Sequence, residues 1–115
     1  MLKALTTAVA IVTLAACASV PVAPEKVQAS EQAIQDAQAA GADRQPAAAK
    51  YLELAQGELT QGKRFSDTGE PRKAETMLAK AEWDAKLATA KAKEGTSQAE
   101  VQRLADELQK VSANQ

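Results

Sequence analysis

Pro71-Arg72-Lys73-Ala74-Glu75-Thr76-Met77-Leu78-Ala79-Lys80-Ala81-Glu82-Trp83-Asp84-Ala85-Lys86-Leu87-Ala88-Thr89-Ala90-Lys91-Ala92 carries the most regular pattern in the chain. Ala74, Leu78, Ala81, Ala85, Ala88 and Ala92 step by four and three, the spacing that keeps side chains on one face of an α-helix. Met77 widens that face, and Pro71 suits the first helical position, where a missing N–H removes no hydrogen bond. All but one of the six stripe residues are alanine, so a partner helix can approach closely while each contact buries little area. A second apolar side follows from the same geometry. At about 100° per residue Trp83 points about 200° away from Ala81, and Ala79, Leu87 and Ala90 fall near it. Lys80, Lys86 and Lys91 lie along the flanks, and Glu82 with Lys86 forms a favourably oriented i,i+4 pair. Two faces call for two packing partners. Trp83 is expected to pack in the core of a monomer, against the first helix or the C-terminal segment. The alternative makes Trp83 and Leu87 an exposed contact for a partner, since Trp is enriched among interface hot spots.

Outward from this helix, Asp67-Thr68-Gly69-Glu70-Pro71 is a turn cluster that ends a preceding helix over 46–66. Ala48, Leu52, Ala55 and Leu59 form its stripe with Tyr51 beside them, Pro46 occupies its first turn, and Asp43 or Gln45 could cap it. Gly57 and Gly62 inside it cost about 1 kcal/mol each relative to alanine and weaken its second half. Before that, Pro24 and Glu25 open a first helix over 24–40, whose Val27, Ser30, Ile34 and Ala37 share a face until Gly41, a suitable residue to follow a helix end. On the C-terminal side Glu94-Gly95-Thr96 interrupts the pattern. Ser97-Gln98-Ala99-Glu100 reads as a capping box, and Val101, Leu104, Leu108 and Val111 make a further stripe. A kink or short break at Gly95 is expected. The fold class is all-α: a short antiparallel helical bundle or helical hairpin of three to four helices, with the C-terminal segment and the first helix packed around a central hairpin.

The only cysteine, Cys17, stands directly behind Leu14-Ala15-Ala16. Met1-Leu2-Lys3 supplies a positive start, and Ala4 to Ala16 is an apolar run shorter than the roughly 20 residues that span a bilayer. The arrangement resembles a bacterial lipoprotein signal with its lipobox. That resemblance implies cleavage after Ala16, with residues 1–16 as signal peptide, and acylation of Cys17, whose combined chains would anchor the protein far more firmly than one myristoyl group. Residues 17–24, with Pro21 and Pro24, read as an acylated N-terminus and tether, and 25–113 as an alanine-rich helical domain. Ala18 stands where an aspartate would signal inner-membrane retention in enteric lipoproteins. An outer-membrane, periplasm-facing location is therefore implied, with the inner membrane as the alternative.

The run Ala33-Ile34-Gln35-Asp36-Ala37-Gln38-Ala39-Ala40-Gly41-Ala42-Asp43, followed by Pro46-Ala47 and by Gly69-Glu70 leading into the Ala74/Ala81/Ala85 helix, resembles a bacterial domain of unknown function, the alanine-rich domain numbered 4398. The likeness covers roughly residues 25 to 93. Members of that family are typically envelope lipoproteins, and some relatives carry a peptidoglycan-binding domain behind the helices. No glycan-contacting residue is carried over to this chain.

Composition narrows the chemistry. The chain of 115 residues has 14 basic and 15 acidic side chains and a formal charge of −1. Loss of Lys3 with the signal makes the charge −2, and no basic block appears, which argues against nucleic acid as a partner. With one cysteine and no histidine, the common zinc spacings and an internal disulfide are excluded. Hydrophobic residues are 45% but aromatics only 3%, enough for helices and a thin core. Glu53, Glu58, Glu75, Glu82 and Asp84 read as solvated helix faces, and Ser66, Thr68 and Ser97 have no histidine base. No enzyme, cofactor or metal is expected. The expected role is structural or protein-interacting, with a membrane contact through Cys17 and either an envelope protein or a second copy as partner. Two alternatives stand beside it. Gly69-Glu70-Pro71-Arg72-Lys73-Ala74-Glu75 resembles a helix opening in tetratricopeptide adaptors, although one helix pair falls short of the usual three repeats. Heptad-like stripes also permit a self-associating coiled-coil spacer.

Overall fold

The computed structural model describes residues 21–114, and every regular element among them is helical. Helix α1 spans Pro24–Ala39, α2 Pro46–Asp67 and α3 Pro71–Ala113, with a 3-10 turn at Ala42–Arg44 between α1 and α2. Each helix begins on a proline in its first turn, as the sequence predicts. Both interhelical turns rest on left-handed glycines, Gly41 at φ 82° and Gly69 at φ 75°. At the second, Gly69 N–H donates to the Ser66 carbonyl (3.2 Å) and Glu70 N–H to that of Phe65 (2.8 Å). This is the Schellman closure that satisfies the last carbonyls of a helix.

Helix α3 is the axis of the fold. Ala74, Leu78, Ala81, Ala85, Ala88 and Ala92, the whole predicted stripe, are buried, and α1 and α2 both pack on that side. Helix α2 runs antiparallel to α3: Gly62 lies against Leu78 and Ala74 at one end, Glu58 meets Lys80 in the middle, and Gln45 lies over Gly95 at the other end. Helix α1 runs parallel to α3, with Lys26 beside Glu75 (3.7 Å). The buried Ser30 hydroxyl reaches the Leu78 carbonyl (2.9 Å) and shares its proton with the Lys26 carbonyl (2.9 Å). Ala33, Ile34 and Ala37 of α1 join Ala48, Leu52 and Ala55 of α2 over the alanine stripe. Among the described residues, no helix is long and apolar enough to cross a membrane.

The structure corrects the sequence reading at several places. No break and no separate fourth helix occurs at Gly95: α3 continues for 43 residues, about 65 Å at 1.5 Å per residue. Strong helix formers flank the glycine, and i,i+3 and i,i+4 pairs lie on either side of it, Lys91–Glu94 before and Arg103 with Glu100 and Glu107 after. Ser97 and Glu100 therefore form no capping box. The C-terminal part does not fold back, and residues 97–113 project beyond α1 and α2 with every side chain exposed. Neither Asp43 nor Gln45 caps α2 with its side chain. Gln45 offers its backbone carbonyl to Ala48 and Ala49, while its carboxamide occupies the space that a Cβ at Gly95 would fill. Val22, inside the expected tether, is buried with Ala74 and Leu78. Residues 1–20 and 115, and with them the expected signal peptide and the start of the expected tether, lie outside the described residues.

Candidate functional site

Leu14, Ala15, Ala16 and Cys17, the expected lipobox, lie outside the described residues. Within the helical body, the expected Trp83 contact takes definite form. Because α1 and α2 both sit on the alanine side of α3 and the C-terminal segment continues the same helix, nothing among the described residues covers the opposite side. Trp83 is 68% exposed, which overturns the expectation that it packs in the core. Ala79, Leu87 and Ala90 beside it are exposed as well. Lys86 places its Nζ 5.0 Å from the centroid of the Trp83 ring and donates to Glu82 Oε1 (2.6 Å), so a cation lies over the indole while the rest of the ring faces solvent.

The continuity of this face with the projecting part of α3 escaped the sequence reading. Val101, Leu104, Leu108 and Val111 are all exposed. Counted along one unbroken helix, Trp83, Leu87, Ala90, Glu94, Ser97, Val101, Leu104, Leu108 and Val111 alternate steps of four and three throughout. That is a heptad seam, with only Glu94 and Ser97 polar within it. The signal was present in the sequence and was hidden by treating Gly95 as a boundary. The other sides of the projecting segment carry Gln102, Arg103, Asp106, Gln109 and Lys110, so its large apolar residues are confined to the seam.

Among the carboxylates, Glu53 and Glu75 are exposed, and Glu75 and Glu82 each face a lysine. Glu58 departs from the solvated pattern. Its side chain is only 12% exposed, Oε2 has no hydrogen-bond partner, and Lys80 Nζ stands 3.4 Å from Oε1. Burial, and then the neighbouring Asp84 carboxylate, hold the Glu58 carboxyl above its ordinary range, against the opposing pull of Lys80. The sequence could not separate Glu58 from Glu53, since burial here depends on how α2 lies on α3. An open groove of about 500 Å³ adjoins it, lined by Glu53, Leu54, Gly57, Glu58, Met77 and Lys80.

The hydroxyls have local duties: Thr68 Oγ1 donates to the Arg64 carbonyl (3.1 Å) at the end of α2. Among the described residues, no group of three His, Cys, Asp or Glu side chains is placed to hold a metal ion.

A family described as Domain of unknown function (DUF4398) matches residues 25–104, which takes in all three helices up to the middle of the projecting segment. No curated protein and no solved structure matches the chain.

Proposed function

The chain belongs to the DUF4398 family, and on that premise we propose that it is a lipid-anchored helical protein of the bacterial cell envelope with a structural or protein-interaction role and no catalysis. The observation that carries this reading is Leu14-Ala15-Ala16-Cys17 behind a short apolar segment. On this reading a lipid attachment point at Cys17 would lie within ten residues of the start of the helical body at Pro24. The body fits an interaction role: its core is mostly alanine with Ile34, Leu52 and Leu78, while six further large apolar side chains, Trp83, Leu87, Val101, Leu104, Leu108 and Val111, are exposed. In an ordinary core those side chains would be inside. Ala18 favours the outer membrane, periplasmic side.

Metabolic labelling with palmitate, combined with membrane fractionation, tests the anchor. The unaltered protein should take up label and sediment with the outer membrane on a density gradient. Cys17→Ser should take up none and should leave the membrane fraction or remain unprocessed. Processing and membrane association of Cys17→Ser equal to the unaltered protein would refute the anchor, and recovery with the inner membrane would refute the address. The exposed seam favours self-association over a peptide-binding groove as the form of interaction, since its repeat is that of helix pairing.

A further inference from the structure

We propose that the exposed seam of α3 is covered by the same seam of a second copy, antiparallel, in a register that sets Trp83 on Leu108, Leu87 on Leu104, Ala90 on Val101 and Glu94 on Ser97 of the other copy. This deepens the interaction half of the reading above and does not depend on the lipid.

Charge selects both direction and register. In an antiparallel pair the residues flanking the seam on one side meet their own kind across the axis. Here that side carries Lys86, Lys93, Glu100 and Glu107, and the proposed register brings Lys93 to Glu100 and Lys86 to Glu107, each twice. A shift of one heptad in one direction sets Lys93 on its own copy and halves the opposite-charge contacts to Lys86 with Glu100. A shift in the other direction sets Glu100 on Glu100 and leaves only Lys93 with Glu107. Larger shifts toward the C-terminus oppose Glu100 to Glu107 or Glu107 to itself. A parallel pair in register stacks Glu94 on Glu94 inside the seam and brings Lys86 to Lys91, with no opposite-charge pair to offset them. Like charges across an interface discriminate strongly against the wrong arrangement.

The shape of the molecule selects the same register. Its centre falls between Gly95 and Thr96, and Gln45 over Gly95 marks the level at which the α1–α2 body ends. Two bodies therefore occupy opposite ends of the pair without competing for space. The projecting segment of each copy, which no described residue of its own chain covers, lies along the Trp83 side of the other. An uncovered segment of this length needs such cover, because isolated helices shorter than about 12–15 residues are marginal in water and longer ones depend on packing of an apolar face. The ion pairs now made by Glu100 and Glu107 with Arg103 are exposed i,i+3 and i,i+4 contacts, and Lys93 is likewise exposed, so bringing them together requires no rearrangement of the body. Val22 sits beside Ala74 and Leu78, so the two N-terminal ends would stand about 60 Å apart, by helix rise alone. The pair would then work as a two-ended spacer.

The test uses the full chain in density-matched detergent, with sedimentation velocity and zero-length carbodiimide crosslinking of mixed isotope-labelled and unlabelled copies. A dimer is expected, with Lys93–Glu100 and Lys86–Glu107 crosslinks that join one labelled to one unlabelled peptide. Lys93→Glu should raise the dissociation constant by about tenfold or more, and the double variant Lys93→Glu with Glu100→Lys should recover most of it. Both substitution sites, Lys93 and Glu100, are exposed, so folding is preserved; unchanged helical circular dichroism of the body checks this. A chain that stays monomeric, a dimer whose crosslinks report another register, or a double variant as weak as Lys93→Glu overturns the inference. So does association only with a different protein. Each of these leaves the palmitate result for Cys17 untouched, and failure of that labelling leaves the dimer register untouched.

Discussion

Gly57→Ala and Gly62→Ala make the same chemical change five positions apart on α2 and should move stability in opposite directions. Both replace glycine within a helix by the best helix former, a gain of about 1 kcal/mol. At Gly57 a new Cβ meets nothing within 4 Å, so the full gain should appear. At Gly62 it would lie 2.9 Å from Leu78 Cγ and Cδ2 and 3.4 Å from the Ala74 carbonyl oxygen, inside the 3.5–4.0 Å optimum for carbon pairs. Leu78 is 1% exposed and is held from the other side by α1, whose Ser30 bonds its carbonyl, so it has little room to withdraw. Overpacking of this kind costs about 1–3 kcal/mol, which turns the gain into a net loss of about 1 kcal/mol. Because the helix-propensity gain is common to both variants, their difference of about 2 kcal/mol isolates the close approach of α2 to α3. In a domain of this size that separates the melting temperatures by about 10 °C. Urea and thermal unfolding followed at 222 nm measure it. Equal stabilisation of both variants would refute the packing argument.

Glu58 supplies a pH signature: its carboxyl titrates above the ordinary 4.5 because burial and Asp84 disfavour the charge, so the folded state binds that proton more tightly than the unfolded. The penalty is full above the raised folded value and is relieved as pH falls through it toward 4.5. Glu58→Gln should accordingly be more stable than the unaltered chain by about 1 kcal/mol at pH 7, the advantage fading by pH 4; a less stable Gln variant at pH 7 would contradict this. Leu78→Asp should unfold most of the body, since it buries a carboxylate without a partner in a domain with only about 5 kcal/mol in hand. Trp83→Ala should change the unfolding free energy of the dilute chain, read from urea titration, by no more than about 0.5 kcal/mol, whereas a loss near 3 kcal/mol would place the indole inside the body after all.

Much of this architecture is legible in the sequence because it depends on local physics. Three prolines in first turns and two left-handed glycines set the helix ends within about a residue, and the period of Ala74 to Ala92 names the buried side of α3. Gly62 was also within reach: it continues the Ala48, Leu52, Ala55, Leu59 stripe by a step of three, and Gly57 does not, so one was destined for the contact and the other for solvent. Glu58 was not legible. Its burial follows from the placement of α2 across α3, a tertiary fact with no sequence period of its own.

The fate of Trp83 and of the last stripe turned on an assumption that apolar stripes must find cover within their own chain. Helix lengths show why they cannot. Turns at Gly41–Gln45 and Asp67–Glu70 confine α2 to 22 residues, about 33 Å, and an antiparallel partner starting at Pro71 runs out of cover roughly 22 residues later, near Lys93. Helix α1 is shorter still, at 16 residues, and lies on the same side. Any helix that persists beyond that level must project, and its apolar residues must remain exposed or meet another molecule. Whether α3 persists is decided by Gly95, and there about 1 kcal/mol of glycine cost is opposed by a run of alanine, lysine and glutamate with ion pairs on both sides. The helix wins, and the seam from Trp83 to Val111 is the consequence.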